Sequence, residues 1–235
     1  MKNEIIKSIS SIYEDILFKD NFVDRNTGIV NIDKTRKLAT YPFLGTKYGQ
    51  TKKIMFIGLD MGKDETPQLI QSFEKRNENL EWSRNNHIIG TFFTTFYFLK
   101  DNFNFNDLWI EIVKNGGTFM QIYKTFRALD GFNPIEYISL SNYYKFVTNG
   151  RVGRSGKFDR KHLNQKKEEQ LFLQEIEVLN PDIIIFQSLD FNHSKFAKII
   201  NQLVSSNRKV YIGPHPSHRK TKVPNEFIKL LREVK

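Results

Sequence analysis

Residues 209–220 read KVYIGPHPSHRK. The run Val210–Ile212 is short, apolar and β-branched, the pattern of a strand covered on both faces. It stops at Gly213. His215 follows, clamped between Pro214 and Pro216, and Arg219 and Lys220 come close behind. A strand that serves only the core needs no such ending. A strand that delivers a polar group to a negatively charged ligand does.

Three more segments share the strand signature. They are KIMFIGLD (53–60), IEYISLSNYY (135–144) and DIIIFQS (182–188). Helical stretches separate them. KHLNQKKEEQLFLQEIEVL (161–179) carries its apolar residues along one side, and the Asn-Pro-Asp at 180–182 stops it. NHSKFAKIINQLVS (192–205) fills the gap before the last strand. IIGTFFTTFYFLKDNF (88–103) and TFMQIYKTFRAL (118–129) read as helices between the first and second strands. VPNEFIKLLREVK (223–235) reads as a closing helix with Pro224 near its start. Strand alternating with helix predicts right-handed crossovers and a mostly parallel sheet. The expected fold is α/β, a three-layer α/β/α arrangement around a central four-stranded sheet. It occupies one domain over residues 1–235. A helical extension is expected over 1–50, a charged insertion over 63–89 and a basic loop over 147–161.

Ligands of open parallel sheets bind beyond the carboxyl ends of the strands. Asp60, Asn142 and His215 stand at three such ends and are expected to converge. Each residue alone has a plainer reading. Asp60 would cap a turn, Asn142 would close a strand end, and His215 would pack in a bend.

The chain has 235 residues and a net charge of +10, with 36 Lys and Arg against 26 Asp and Glu. That balance favours a polyanionic partner, chiefly nucleic acid. The loop at 147–161 holds three glycines and five basic residues, including Arg151 and Arg154. It is expected to reach phosphates. Twenty-one phenylalanines support a packed interior. There is no cysteine, so disulfides, thiolate metal sites, cysteine nucleophiles and cysteine-held iron–sulfur clusters are excluded. No cofactor and no metal is expected. The N-terminus reads as an amphipathic helix and not as a leader peptide, and no apolar run reaches membrane length. The expected place is the cytoplasm, with no membrane partner.

The ordered set FIGLDMG after the first strand, LSN at the end of the second and HPS after the last resembles the uracil-DNA glycosylase superfamily. The resemblance spans roughly residues 53–219. It implies a base flipped out of single- or double-stranded DNA, cleavage of its N-glycosidic bond, and a monomeric enzyme without a cofactor. Asp60 then matches the acid that orients or activates water and stabilises the sugar cation. His215 matches the donor to the base carbonyl, where negative charge builds as the bond breaks. Asn142 matches the amide that reads the flipped base, offering both a donor and an acceptor. Ser217 matches a phosphate contact through its hydroxyl or amide. Ser188, at the end of the third strand, is likewise expected on DNA. Phe92 is the candidate stacking ring, with Phe93 or Phe73 as alternatives.

The departures carry information. Gly62 stands where the strict uracil enzymes place an aromatic that screens the C5 side of the base. This leaves room for a 5-substituent, so a modified pyrimidine, including a hypermodified phage base, joins uracil as a candidate. Met61 replaces a usual proline. Glycine at position 62 resembles the single-strand-selective and mismatch-type branches. Arg219 falls where the family places a wedge, where arginine resembles the single-strand-selective branch, and can stack in the vacated gap or grip a phosphate. Lys220 is expected to track the backbone. His218 replaces another usual proline. Two other classes compete: a nucleic-acid-binding module on the same fold without cleavage, and an enzyme of free nucleosides or nucleotides.

Overall fold

The computed structural model describes residues 2–38, 40–59, 70, 72–81, 88–115, 132–148 and 165–235. The chain falls into two compact units. The first comprises Met1–Phe43, Gly58–Arg76 and Ser141–Asn180, and the second Leu44–Ile57, Asn77–Leu140 and Pro181–Lys235.

In the first unit, helix α1 (Lys2–Tyr13) runs into a wider π-helical turn, Glu14–Phe18. Three short strands follow the order β1-β2-β6: β1 (Ile29–Val30), β2 (Asp33–Leu38) and β6 (Phe146–Thr148), paired antiparallel. The first fifty residues are therefore helical only in part, and strands follow the helix. Helix α5 (Gln165–Leu179) packs against α1. Its buried side chains are Glu168, Leu171, Phe172, Glu175, Ile176 and Leu179. That is the 3-and-4 spacing of one helix face, with two acids set into it. Asn180 then adopts a left-handed backbone, φ 41°, and ends the helix.

The second unit is built on a sheet of order β3-β5-β4-β7-β8-β9. Its strands are β3 (Phe43–Leu44), β4 (Ile54–Gly58), β5 (Ile138–Asn142), β7 (Ile183–Phe186), β8 (Lys209–Ile212) and β9 (Arg232–Val234). β4 pairs with β7, and β7 with β8, in parallel. Every side chain of Ile54–Ile57 and Ile183–Phe186 is buried, which explains runs without polar alternation. The four expected strands occupy the middle of the sheet, but the sheet has six strands and not four. The closing segment accounts for one of the two extra strands. Only Pro224–Ile228 (α7) is α-helical there, and Arg232–Val234 turns back to pair antiparallel with β8. Pairing covers the edge that β8 would otherwise leave open.

Helix α3 (Ile89–Leu99) and helix α4 (Asn106–Asn115) bring in the aromatics. Phe96 lies 5.9 Å from Trp109 and 6.0 Å from Phe105, and Phe132 lies 4.9 Å from Phe103 and 5.6 Å from Tyr137. This edge-and-stack cluster gives the phenylalanine-rich composition its place. Helix α6 (Ala197–Ser205) connects β7 to β8, as expected, and α2 (Phe73–Glu81) lies in the charged insertion. The expected helix at 118–129, most of the basic loop and most of the rest of the insertion lie outside the described residues. No described helix is long and apolar enough to cross a membrane.

Candidate functional site

The parallel register aligns the carboxyl ends of three strands. Ile57 pairs with Phe186, and Phe186 with Ile212. The ladder continues one step further, because Gln187 N–H donates to the Ile57 carbonyl at 2.8 Å and Gly213 N–H to the Phe186 carbonyl at 2.9 Å. Ser188 and His215 thus leave the same edge of the sheet.

The loop after β8 is held from several sides. Pro214 and Pro216 are buried, while His215 between them is exposed. Gly90 N–H, at the start of α3, donates to the Pro216 carbonyl at 2.8 Å. A Cβ on Gly90 would stand 2.7 Å from that oxygen and 2.8 Å from Pro216 Cα, so glycine is required for the approach. The His215 carbonyl accepts from His218 N–H at 2.9 Å. His218 takes over the stiffening that a proline would supply: its Nδ1 accepts from Lys220 N–H at 3.2 Å and caps the turn Arg219–Lys222.

The imidazole of His215 is set by Ser217. Ser217 Oγ lies 2.8 Å from His215 Nδ1, and the Ser217 backbone N–H donates to the same nitrogen at 3.2 Å. A backbone N–H can only donate. Nδ1 is therefore the acceptor, and the proton of the neutral ring sits on Nε2. The ring is prepared as an Nε2–H donor. Ser217, expected on a phosphate, here turns both its hydroxyl and its amide toward the histidine.

The neighbouring loops are equally ordered. Ser188 Oγ accepts from Asp190 N–H at 3.2 Å and caps the turn Leu189–Asn192. Gln187 is buried and donates through Nε2 to Thr91 Oγ1 at 2.5 Å, tying the end of β7 to α3. Arg219 and Lys220 are exposed, and Lys220 also faces Glu226 at 3.6 Å. Phe92 is only 3% exposed, and Phe93 and Phe73 are buried too, so all three rings pack as core.

No known family model matches the chain, and no curated protein matches it.

In the first unit, Asn142 ends β5 against the glycine of the first motif. Its Oδ1 fills the space where a Cβ on Gly58 would stand. Tyr143 N–H donates to the Gly58 carbonyl and Tyr144 N–H to the Leu59 carbonyl, each at 2.9 Å. The first two motifs are thus side by side at Gly58–Leu59 and Asn142–Tyr144. Asp60, Gly62, Met61, Arg151 and Arg154 lie outside the described residues.

Behind Asn142 sits a cluster that the motif reading missed. Lys145 Nζ donates to Glu175 Oε2 at 2.6 Å and to Ser141 Oγ at 2.7 Å. Ser141 Oγ donates to Glu175 Oε2 at 2.7 Å, and Tyr13 OH to Glu175 Oε1 at 2.6 Å. Glu168 Oε1 accepts the backbone N–H groups of Lys145 at 2.7 Å and of Phe146 at 3.4 Å. All five side chains are buried. Burial lowers the Lys145 pKa against the pull of Glu175, and it raises Tyr13 well above the ordinary phenol value. Burial also pushes Glu168 up to about 7, opposed by the two amides that bind it. The readable signal was Glu168 and Glu175 seven residues apart, in register with Leu171, Phe172 and Ile176. Acids at core positions of a helix need buried partners.

Among the described residues, no group of three or more His, Asp or Glu is placed to hold a metal ion.

Proposed function

We propose that this protein is a monofunctional DNA glycosylase. It flips uracil or a C5-modified pyrimidine out of DNA and hydrolyses the bond between base and sugar, leaving an abasic site. The observation that carries the proposal is the state of His215: an exposed imidazole at the carboxyl edge of the parallel strands β4, β7 and β8, with its proton assigned to Nε2. The ordered motif set around it supports the same reading, as does the charge of +10. In this reading the sheet and its helices form the three-layer core of the uracil-DNA glycosylase superfamily, which the motifs resemble.

The chemistry follows from the charges. When C1′–N breaks, the electron pair leaves with the base and positive charge grows on the sugar. The Nε2–H of His215 donates to the base carbonyl that gathers the negative charge. A neutral imidazole suffices, because it lends a hydrogen bond and keeps its proton. The Asp60 carboxylate faces the sugar cation and orients the water, whose oxygen bonds to C1′ and whose proton passes to the carboxylate. Asn142 pairs with the edge of the base. Gly62 leaves its C5 side open. Arg219, Lys220, Arg151, Arg154 and Ser188 bind backbone phosphates or the vacated gap, which offsets the few kcal/mol (about) lost in unstacking the base.

The test is a panel of oligonucleotides carrying uracil, 5-hydroxymethyluracil, 5-hydroxymethylcytosine or glucosylated cytosine, treated with alkali after incubation. At least one substrate is expected to show alkali-dependent scission. Binding without scission anywhere in the panel would instead mark a nucleic-acid reader. Turnover confined to free nucleosides, insensitive to salt, would mark a nucleoside enzyme.

A further inference from the structure

The Lys145–Glu175 pair is fully enclosed, and a buried ion pair is no simple route to stability. Apolar side chains of similar volume commonly do as well. Its geometry offers another use. Lys145 reaches back four residues to the hydroxyl of Ser141 and closes a bend whose first residue is Asn142. Glu175 takes both ends of that closure on one oxygen. Glu168, two turns earlier on α5, takes the main chain where the bend passes into β6. On the other side, the bend is tied to Gly58 and Leu59 through Tyr143 and Tyr144. The backbone around Asn142 is thus pinned by directed bonds from two elements. Apolar packing would fill the same space without fixing direction.

We infer that Lys145 and Glu175, acting with Ser141 and Glu168, are positioning residues for Asn142. They do not touch the base. They hold the turn that presents the amide, at the sub-ångström tolerance that base reading requires. The functional half of this inference rests on the glycosylase reading, and the structural half does not.

The test uses the full chain and the double variant Lys145→Met/Glu175→Gln. It removes both charges, while the glutamine still accepts from Tyr13 and donates to Ser141. Hydrogen exchange at the amides of Tyr143, Tyr144, Lys145 and Phe146 is expected to quicken at least tenfold, with β7 and β8 unchanged. On an oligonucleotide substrate, kcat/KM is expected to fall about tenfold or more. Affinity for an abasic oligonucleotide, which has no base to read, stays the same. Unchanged exchange at these amides overturns the inference. So does an equal rise throughout the chain, or equal loss of affinity for abasic and base-containing DNA, since each marks a general staple of the core. Should the double variant fail to fold, Ser141→Ala tests the same amides by removing only the hydroxyl link. A wild type that releases no base from any oligonucleotide overturns the glycosylase reading, while the exchange result still decides the positioning. An active wild type with unmoved exchange in the variant overturns the positioning alone.

Discussion

The loop after β8 and the turn after β5 solve the same problem by opposite means. Each presents one polar side chain at a strand's end. His215 is held by near neighbours in sequence: Ser217 on its ring, His218 on its carbonyl, prolines on either side. Asn142 is held by distant ones, since Glu175 lies on α5 and Tyr13 on α1. The first device is mostly neutral and exposed, the second charged and buried. Each is fragile in a different place. Losing a neutral, exposed contact costs little, because water replaces it. Losing one partner of a buried pair strands a charge.

The most severe test of this contrast is Glu175→Ala, which leaves the Lys145 ammonium without its carboxylate. Urea unfolding is expected to show a loss of about 3–5 kcal/mol. A loss below ~1 kcal/mol would mean that the pair is not the anchor described. Next is His215→Ala, expected to lower single-turnover base release by about 10²–10³-fold, as for other lost oxyanion donors, with unfolding nearly unchanged. Gly90→Ala probes a rigid contact that the His215 loop makes with a distant segment, the start of α3. Its Cβ meets Pro216 and Phe227, and a destabilisation of about 1–3 kcal/mol is expected in thermal or urea melts.

Glu168 adds a pH dependence to the buried side alone. Its folded pKa is raised to about 7 from the ordinary 4.5. Between those values the folded protein holds a proton that the unfolded chain has released, so stability falls as pH rises through this window. The expected fall is on the order of 1–3 kcal/mol. Glu168→Gln keeps an acceptor for the two amides and should flatten the slope between pH 5 and 8. A slope that persists in this variant assigns it to another group. The mildest change is Ser217→Ala. The backbone N–H still reaches Nδ1, so base release is expected to drop by only about 2–10-fold.

The same contrast explains what could be read from the chain. The strands β4 and β7 announce themselves through unbroken apolar runs, because burial on both faces leaves no polar alternation to obscure them, whereas β8 leaves Lys209 exposed and Tyr211 half-buried and is legible through Val210 and Ile212. The His215 loop was legible because its rigidity is local: prolines and a serine two residues away are visible in any window. The strand β2, DKTRKL, was not, since its pairing with β1 and β6 supplies what its composition lacks. The strand β9 was hidden in a helical-looking segment for the same reason, because the open edge of β8 decides it. The Asn142 support was hidden by separation: Lys145 meets a carboxylate thirty residues on, and Tyr13 meets the same carboxylate across 162 residues. Motif order named the presented residues and passed over the ones that hold them.

The proposed role of His215 is to donate to a departing base. The direct measurement is the product analysis of a single-turnover reaction on the best substrate of the panel, with wild type, His215→Ala and Asp60→Asn in parallel. Wild type is expected to give free base and intact abasic strand in equal amounts, with scission only after alkali, and both variants are expected to be slowed by about a hundredfold or more. Strand breakage before alkali, or a His215→Ala enzyme that releases base at the wild-type rate, would contradict it.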